Sequence, residues 1–474
     1  MTRSPLLDAW FAARQKNRRP LQIPGHKNRY AHGEDALGAD LLGPLLRDDV
    51  PLQGGVDDNA YGHRYLEQAE ALWSAAVGAD FARFLVGGSS QGNIAALSAV
   101  SYPGRPVAID RTSHRSAQAA LVISGARPVW VYPELHPETG LPLGVPARAL
   151  AGVTAEVTAL FVTSPSYGGT LSDVSALARA AHGHGIPLVV DQAWGAHLGF
   201  MAGRGAIECG ADLVVTSVHK ALLGYTQTAV VTLRGDRVDR DHLDRCVDLV
   251  ATTSPSGTLL ASIDAARLVL ERDHGVAIAR TVENVKRMRE TLRRVKGLVI
   301  LDETMAPAGV DPFKLTLWLP RTGADGVAIG KRLWEMGLNL ESADRDTLVC
   351  SVTLVDEAAF CDEAAGMLAS LIEAGRGSPR PAATSSVWCV EPDVACTPRE
   401  AFFARRRRIP LEQAVGEVSA EQFCPYPPGV PIIAPGERIT RDALEILRKS
   451  VGQVRIAYCS DPSLATVEVV DALP

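Results

Sequence analysis
No two cysteines of this chain stand in Cys-x-x-Cys spacing. The eight are scattered: Cys209, Cys246, Cys350, Cys361, Cys389, Cys396, Cys424 and Cys459. Zinc sites and thioredoxin-like redox chemistry are therefore unsupported, and the residues read as reduced thiols of a cytosolic protein. The stretch Met1 to Trp10 has no apolar signal-peptide core. No uncharged apolar run approaches the roughly 20 residues that cross a bilayer. The expectation is a cytoplasmic protein with no membrane partner. An excess of positive charge is also missing. The net charge is −6 and the pI is near 6.0, which does not suggest nucleic-acid binding. The one basic run, Arg405-Arg406-Arg407-Arg408, reads as a solvated helix face or an interface, with a nucleic-acid patch as the lesser alternative. There is no Walker loop, no Gly-x-Gly-x-x-Gly, no internal repeat and no low-complexity tract.

What is present is enough for a large core. With 474 residues, 46% hydrophobic and 22% charged, the chain has the balance of an ordinary soluble protein of more than one domain. Residues 1–60 read as an irregular arm with a short helix, Leu6 to Arg14, and a turn at Pro24-Gly25. Such an arm is expected to lie over its own subunit or a partner. Residues 61–255 alternate helical and strand patterns. Strands are expected at 81–85, 106–110, 127–132, 159–163, 187–191, 213–216 and 229–232, and a small-residue helix at 94–100. This predicts a mostly parallel sheet covered on both faces, with ligands at the carboxyl ends of its strands. Residues 256–375 read as a helical connection and a small α/β segment, with long helices from Thr258 and from His274. A Gly/Pro/Ser-rich linker is placed at 376–386. A C-terminal domain, 387–474, opens with a helix capped at Thr397 and contains the proline-rich run Cys424 to Pro431.

Four predicted strand ends carry polar residues. Gly87 to Asn93 is a glycine- and serine-rich turn opening a helix; it suits a phosphate, and equally a capped helix with no ligand. Asp110 to Ser116 places His114 in a loop, able to stack on an aromatic ligand or to be structural. Val189 to His197 ends a buried strand in Asp191, which needs a cation, a metal or a protonated ring nitrogen, or else caps a turn. No second carboxylate or metal-spaced histidine accompanies it. Thr216-Ser217-Val218-His219-Lys220 follows a β-branched strand with a lysine that either snorkels to the surface or forms a Schiff base. Together these offer a phosphate cradle, a stacking imidazole, a buried anion and a reactive amine. That set matches the needs of pyridoxal 5'-phosphate.

The chain resembles the fold-type I pyridoxal-phosphate enzymes, and among them the bacterial ornithine/lysine/arginine decarboxylase family. The matching motifs run in order through Pro24 to Lys27, Gly88 to Asn93, Arg111 to Ser116, Thr163 to Gly168, Asp191 to His197, Ser217 to Lys220, and Tyr426 to Pro431 with Pro435 to Glu437. The resemblance is to a compact form without the N-terminal wing domain. It implies that Lys220 is the Schiff-base lysine, Asp191 the partner of the pyridine nitrogen and His114 the ring-stacking residue. Ala193 would pack on the other ring face. Ser89, Ser90, Gln91, Ser217 and His219 would complete the cofactor contacts. Departures from the family pattern fall at Gly87, Arg115 and Trp194, and none removes a catalytic group.

By the same resemblance the expected reaction is decarboxylation of lysine, ornithine or arginine to its amine. The expected assembly is a homodimer or higher homo-oligomer with shared sites, to which Thr252 to Ser256 would contribute from the neighbouring subunit. Glu437 and Asp344 are candidates for the substrate's distal cation by position and charge. Two alternatives remain at this point. One is another pyridoxal-phosphate reaction, as of an aminotransferase or an aldolase-like lyase; no late arginine stands out as a carboxylate clamp. The other is a non-catalytic regulator or inactive paralogue, against which stand the absence of a helix-turn-helix segment and the presence of Lys220, Asp191 and His114.

Overall fold
The computed structural model describes residues 3–15, 24, 48–57, 62–151, 153, 156–382, 391–426, 431–450 and 455–472. Most of Pro24 to Lys27, residues 383–386 of the linker and 427–430 of the proline-rich run lie outside these.

Seven strands form the central sheet: β1 (Phe81–Leu85), β2 (Pro106–Asp110), β3 (Arg127–Val131), β4 (Leu160–Thr163), β5 (Leu188–Asp191), β6 (Leu213–Ser217) and β7 (Ala229–Leu233). Their spatial order is β1-β7-β6-β5-β4-β2-β3. β6, β5, β4, β2 and β3 pair in parallel, whereas β7 runs antiparallel to both β6 and β1. β1 therefore points the same way as β6, and six strands deliver their carboxyl ends to one edge. This is the mostly parallel sheet that the alternation predicts. Its strands are continuous apolar runs because both faces are covered. β6 and β7 are buried at every position. Ala95, Leu97, Leu121, Leu243 and Val247 from three helices pack one face, and Leu177 and Ala181 from a fourth pack the other.

The helix expected from Ile94 begins at Gly88. Ser89 and Ser90 thus stand in its first turn and not in a preceding loop. The cause is close packing onto the sheet. A Cβ on Gly92 would lie 2.5 Å from Val215 Cγ1 and 3.0 Å from Leu85 Cδ1, so only glycine lets the helix settle onto β6 at this point.

A second sheet orders β8 (Val299–Ile300), β9 (Lys314–Trp318), β10 (Ser342–Ala343) and β11 (Thr347–Ser351) as β10-β11-β9-β8, all antiparallel. Helices Gly257–Asp273 and Val276–Leu292 connect it to the first. The amino-terminal helix, Pro5–Gln15, lies along the former. Leu6 is fully buried there, Ser4 Oγ donates to Asp264 Oδ2 at 2.8 Å, and Trp10 Nε1 donates to Thr258 Oγ1 at 2.9 Å. The first part of the expected linker is tied down: one Arg380 guanidinium nitrogen reaches the carbonyls of Ala324 and Arg345 and the Asp346 carboxylate. Among the described residues no helix is long and apolar enough to cross a membrane.

The last segment pairs β12 (Asp393–Val394) with β15 (Glu437–Arg438), β13 (Arg405–Pro410) with β17 (Thr466–Ala472), and β14 (Cys424–Tyr426) with β16 (Arg455–Ala457). Its opening helix, Pro398–Phe403, carries the expected capping box of Thr397 and Glu400. The arginine run is a strand, contrary to the helix-face expectation. Alternation along β13 sends Arg406 and Arg408 to Glu468, and Arg405 and Arg407 to Asp471, with Arg407 also meeting Glu417. Arginine alone does not choose between helix and strand; pairing with the acidic β17 does.

One buried ion pair ties this segment to the central sheet. Arg111, just past β2, meets Glu437 through both guanidinium ends, at 2.5 and 3.0 Å, and also donates to the Ile432 carbonyl at 2.7 Å. The two side chains are only 4% and 3% exposed. Glu437 Oε2 also accepts from Ala434 N at 2.8 Å. Removing one partner of such a pair leaves a buried charge uncompensated, at a cost of about 3–5 kcal/mol. Glu437→Gln is therefore expected to lower the unfolding free energy by about that amount in a denaturant titration. An unchanged midpoint would mean that the pair does not hold the segment.

Candidate active site
The carboxyl edge of the sheet collects the polar strand ends. Asp191 ends β5, the middle strand of the seven, and is 2% exposed. A carboxylate there must be met by donors. Asn93 Nδ2, from the second turn of the helix Gly88–Val100, donates to Asp191 Oδ2 at 2.7 Å, and Ala193 N donates to Oδ1 at 3.0 Å. An ionised carboxylate has about four acceptor positions, so one further donor can be taken. The same Asn93 amide reaches Ser116 Oγ at 3.0 Å, and Ser116 Oγ lies 2.9 Å from His114 Nδ1. His114 is the N-cap of the helix Arg115–Ser124, accepting from Ser116 N, while its ring stands exposed at the cleft. Surrounding protein holds its pKa below the ordinary value, against the opposing pull of Asp191. His114, Ser116, Asn93 and Asp191 thus form one hydrogen-bonded chain.

Lys220 lies in a single helical turn, Val218–Ala221, directly after β6. Burial lowers its pKa, opposed by Asp191 and Glu341. His219 is fixed by Nδ1 against the Thr228 carbonyl at 2.9 Å, and burial lowers its pKa too. Ser217 is fully buried and its hydroxyl has no hydrogen-bond partner among the described residues. Ser89 is buried and Ser90 exposed in the first turn of the neighbouring helix, and Gly88 N binds the Gln227 carbonyl beyond Lys220 at 2.8 Å. Gln91 is spent locally, its Oε1 accepting from Gly87 N at 2.9 Å.

The structure thus brings Lys220, Asp191, His114, Ala193, Ser217, His219, Ser89 and Ser90 to one edge. It does not leave the two expected substrate carboxylates available. Glu437 is engaged by Arg111. Asp344 accepts at Oδ1 from Asp346 N and Thr347 N, both at 2.8 Å, and so caps the turn before β11; burial raises its pKa to about 6. Thr252 to Ser256 is an exposed loop ending in the N-cap of the helix Gly257–Asp273.

Several residues at this cleft were given no site role from the sequence. Trp194 takes the Lys220 ammonium over its ring at 4.3 Å from the centroid, and the Lys314 ammonium at 3.4 Å. Tyr167 packs edge-on to Trp194 at 5.6 Å, and its hydroxyl lies 3.3 Å from Glu341 Oε1. His197 stacks on Phe313 at 3.8 Å and approaches Asp311 Oδ1 to 2.8 Å, off the line of a hydrogen bond. The motif Asp191 to His197 therefore contacts the start of β9 as well as the sheet it ends. The question asked of Lys220, what an ammonium does beside a buried strand, would have found Lys314 as well.

The orphaned Ser217 hydroxyl, the helix start at Ser89 and the spare acceptor on Asp191 fit a phosphorylated pyridine aldehyde attached to Lys220. Comparison with known proteins points the same way. The family described as Orn/Lys/Arg decarboxylase, major domain, matches residues 4–316, and Orn/Lys/Arg decarboxylase, C-terminal domain, matches residues 382–450. The arginine decarboxylase of Bacillus subtilis (strain 168) is 31% identical over 92% of this chain and 91% of its own. That of Bacillus anthracis is 29% identical over 98% and 97%. The crystal structure of the Francisella novicida lysine decarboxylase superposes with a TM-score of 0.84 at 18% identity, covering 99% of this chain and 81% of that one. The fold is that of the fold-type I pyridoxal-phosphate-dependent transferases.

The lowered pKa of Lys220 has a direct consequence in protein freed of any bound carbonyl compound. A neutral small aldehyde followed by borohydride should label Lys220 before the exposed Lys286, with a pH midpoint below the ordinary 10.5. Peptide mass analysis reads the order; labelling of Lys286 first would contradict it.

Proposed function
Because the chain belongs to the Orn/Lys/Arg decarboxylase family, we propose that it removes CO₂ from a basic amino acid, using pyridoxal 5'-phosphate. The observation that carries the reading is the pairing of a depressed lysine, Lys220, with a doubly braced buried carboxylate, Asp191, on adjacent strands. Arginine is the favoured substrate, since both relatives named above are called arginine decarboxylases. The protein acts in the cytoplasm as a homodimer or higher homo-oligomer.

The cofactor when bound supplies an aldehyde for the substrate amine and a protonated ring that draws electrons from Cα. Every other contribution comes from the chain. Lys220 would hold the cofactor's aldehyde, and its lowered pKa favours the neutral, nucleophilic amine that such an attachment needs. Asp191 would be the partner of the ring nitrogen, a short-range charge effect, with Asn93 and Ala193 N orienting its carboxylate. His114 stacks on one ring face, locked by Ser116, and Ala193 packs the other. Ser89, the amide groups of its helical turn, Ser217 and His219 hold the phosphate. Trp194 and Tyr167 wall the cleft. Glu341 has no ion-pair partner among the described residues and replaces Asp344 and Glu437 as the carboxylate for the substrate's distal cation.

The test is CO₂ release from arginine, lysine and ornithine by the purified protein with pyridoxal phosphate, with the amine identified by mass. Amino transfer to a keto acid without CO₂ would overturn the reading in favour of an aminotransferase. Asp191→Asn is expected to lose turnover nearly completely while keeping the fold, because an amide does not hold the ring nitrogen protonated. Lys220→Ala is expected to lose the visible absorbance of the lysine-bound cofactor. A purified variant that keeps that absorbance would remove Lys220 from its role.

A further inference from the structure
Lys314 is the second lysine of the cleft, and the groups assigned above leave it without a task. It opens β9 of the smaller sheet, is 2% exposed, and its Nζ has no hydrogen-bond partner among the described residues. A buried ammonium with three unused donors is costly. Its Nζ lies over the Trp194 face, 3.4 Å from the centroid, with the Tyr167 ring centroid at 5.7 Å, and a desolvated cation–π contact is worth about 2 kcal/mol. The nearest carboxylates, Glu341 and Asp311, act on it by charge but make no hydrogen bond to it. Asp311 faces His197 and accepts from Phe313 N at 2.9 Å, and Glu341 lies at the Tyr167 hydroxyl.

The placement of this lysine is enforced. Asp311 N donates to the Gly169 carbonyl at 2.7 Å, and Lys314 N to the Asp311 carbonyl at 3.1 Å. Gly169 has φ +94, and a Cβ there would lie 2.7 Å from Lys314 Cβ, so the loop after β4 is shaped to let the lysine pass. Arg289 Nη2 holds the Lys314 carbonyl at 3.2 Å. The side chain is thus directed onto the same indole that carries Lys220.

We propose that Lys314 binds the α-carboxylate of the amino-acid substrate. The inference rests on the decarboxylase reading and adds to it the group that recognises the acid. The substrate amine must reach the carbon that Lys220 holds, and the carboxylate is one carbon from that amine. Two ammonium groups in contact with one indole bracket that position. The anion supplies what the structure leaves missing at Lys314, a charged acceptor for its donors. Turning the carboxylate toward the smaller sheet also fixes which Cα bond stands out of the cofactor plane. The product amine lacks the anion, so Lys314 discriminates substrate from product. The cofactor phosphate is not the anion, since its cradle is built from the helix at Ser89 together with Ser217.

The experiment compares ligands with and without the carboxylate. Holoenzyme is mixed rapidly with arginine, lysine or ornithine, and with agmatine, cadaverine or putrescine. Half-saturation of the visible spectral change is read before turnover. Lys314→Met is expected to weaken the amino acid by about 10- to 100-fold and the matching amine by less than about 2-fold, the range for a hydrogen bond to a charged group. Cofactor retention should be unchanged. Lys314→Gln, polar but uncharged, is the second variant should the first not fold, and is held to the same ratio. Equal weakening of amino acid and amine overturns the proposal, as does loss of bound cofactor, which would assign Lys314 to the cofactor instead. A wild-type holoenzyme that responds to none of the six compounds sinks the decarboxylase reading and this inference with it. One that responds to both classes, with equal losses in the variant, sinks this inference alone.

Discussion
A carboxylate in the middle of a parallel sheet has to be kept charged without water, and much of the carboxyl edge is arranged around that need. Asp191 receives Asn93 Nδ2 and Ala193 N, and through Asn93 it is joined to Ser116 and His114. The helix that contributes Asn93 also begins at the serine turn. Its position on the sheet is set by Gly92, which allows the approach to Val215. One rigid contact therefore fixes three things together: the helix start, the acid's orientation and the histidine's rotamer. Desolvation drives the arrangement, because burying a carboxylate that no donor meets is costly.

Two of the buried cations outside that chain are treated in opposite ways. Arg111 is held by the Glu437 carboxylate and the Ile432 carbonyl. Lys314 faces an indole and makes no hydrogen bond among the described residues. Burial pushes its pKa down to about 8, with Lys220 adding repulsion and Glu341 and Asp311 opposing it. A guanidinium never released from its partner suits a permanent joint, and here it joins the C-terminal segment to the central sheet. An ammonium left open suits a partner that arrives and departs.

The seven-stranded sheet was legible because its strands are buried on both faces and so read as unbroken apolar runs between helical segments. The residues at its carboxyl edge were legible because each follows such a run directly. What the sequence hid depends on distant partners. Glu437 and Arg111 are 326 positions apart, and nothing local to Glu437 distinguishes a structural carboxylate from a substrate-binding one. Asp344 was placed at the cleft by position and charge, whereas the turn before β11 consumes it. The four arginines of β13 have no strand pattern of their own and take it from Glu468 and Asp471 on β17. Lys314 sits in a short β9 whose remaining residues look like ordinary core, so its direction emerges only with Trp194 and Gly169 in place.

The motif from Asp191 to His197 links two sheets that meet different parts of the chemistry. Asp191 and Ala193 belong to the larger sheet and, on the proposed reading, to the cofactor. Trp194 is shared by Lys220 of that sheet and Lys314 of the smaller one. His197 reaches across to Phe313 and Asp311, the residues that aim Lys314. Seven consecutive positions thus set the ring partner, the floor, the common wall and the strut for the second lysine. A substitution at His197 would leave every group assigned to the cofactor in place and disturb only the strand that carries Lys314. The division follows from the geometry: groups committed to the cofactor lie at the carboxyl edge of one sheet, while the cation facing the substrate enters from the other sheet, placed by the His197–Phe313 stack and by the Gly169 carbonyl. Substrate recognition can therefore vary with the start of β9 while Asp191 and its hydrogen-bonded chain stay as they are.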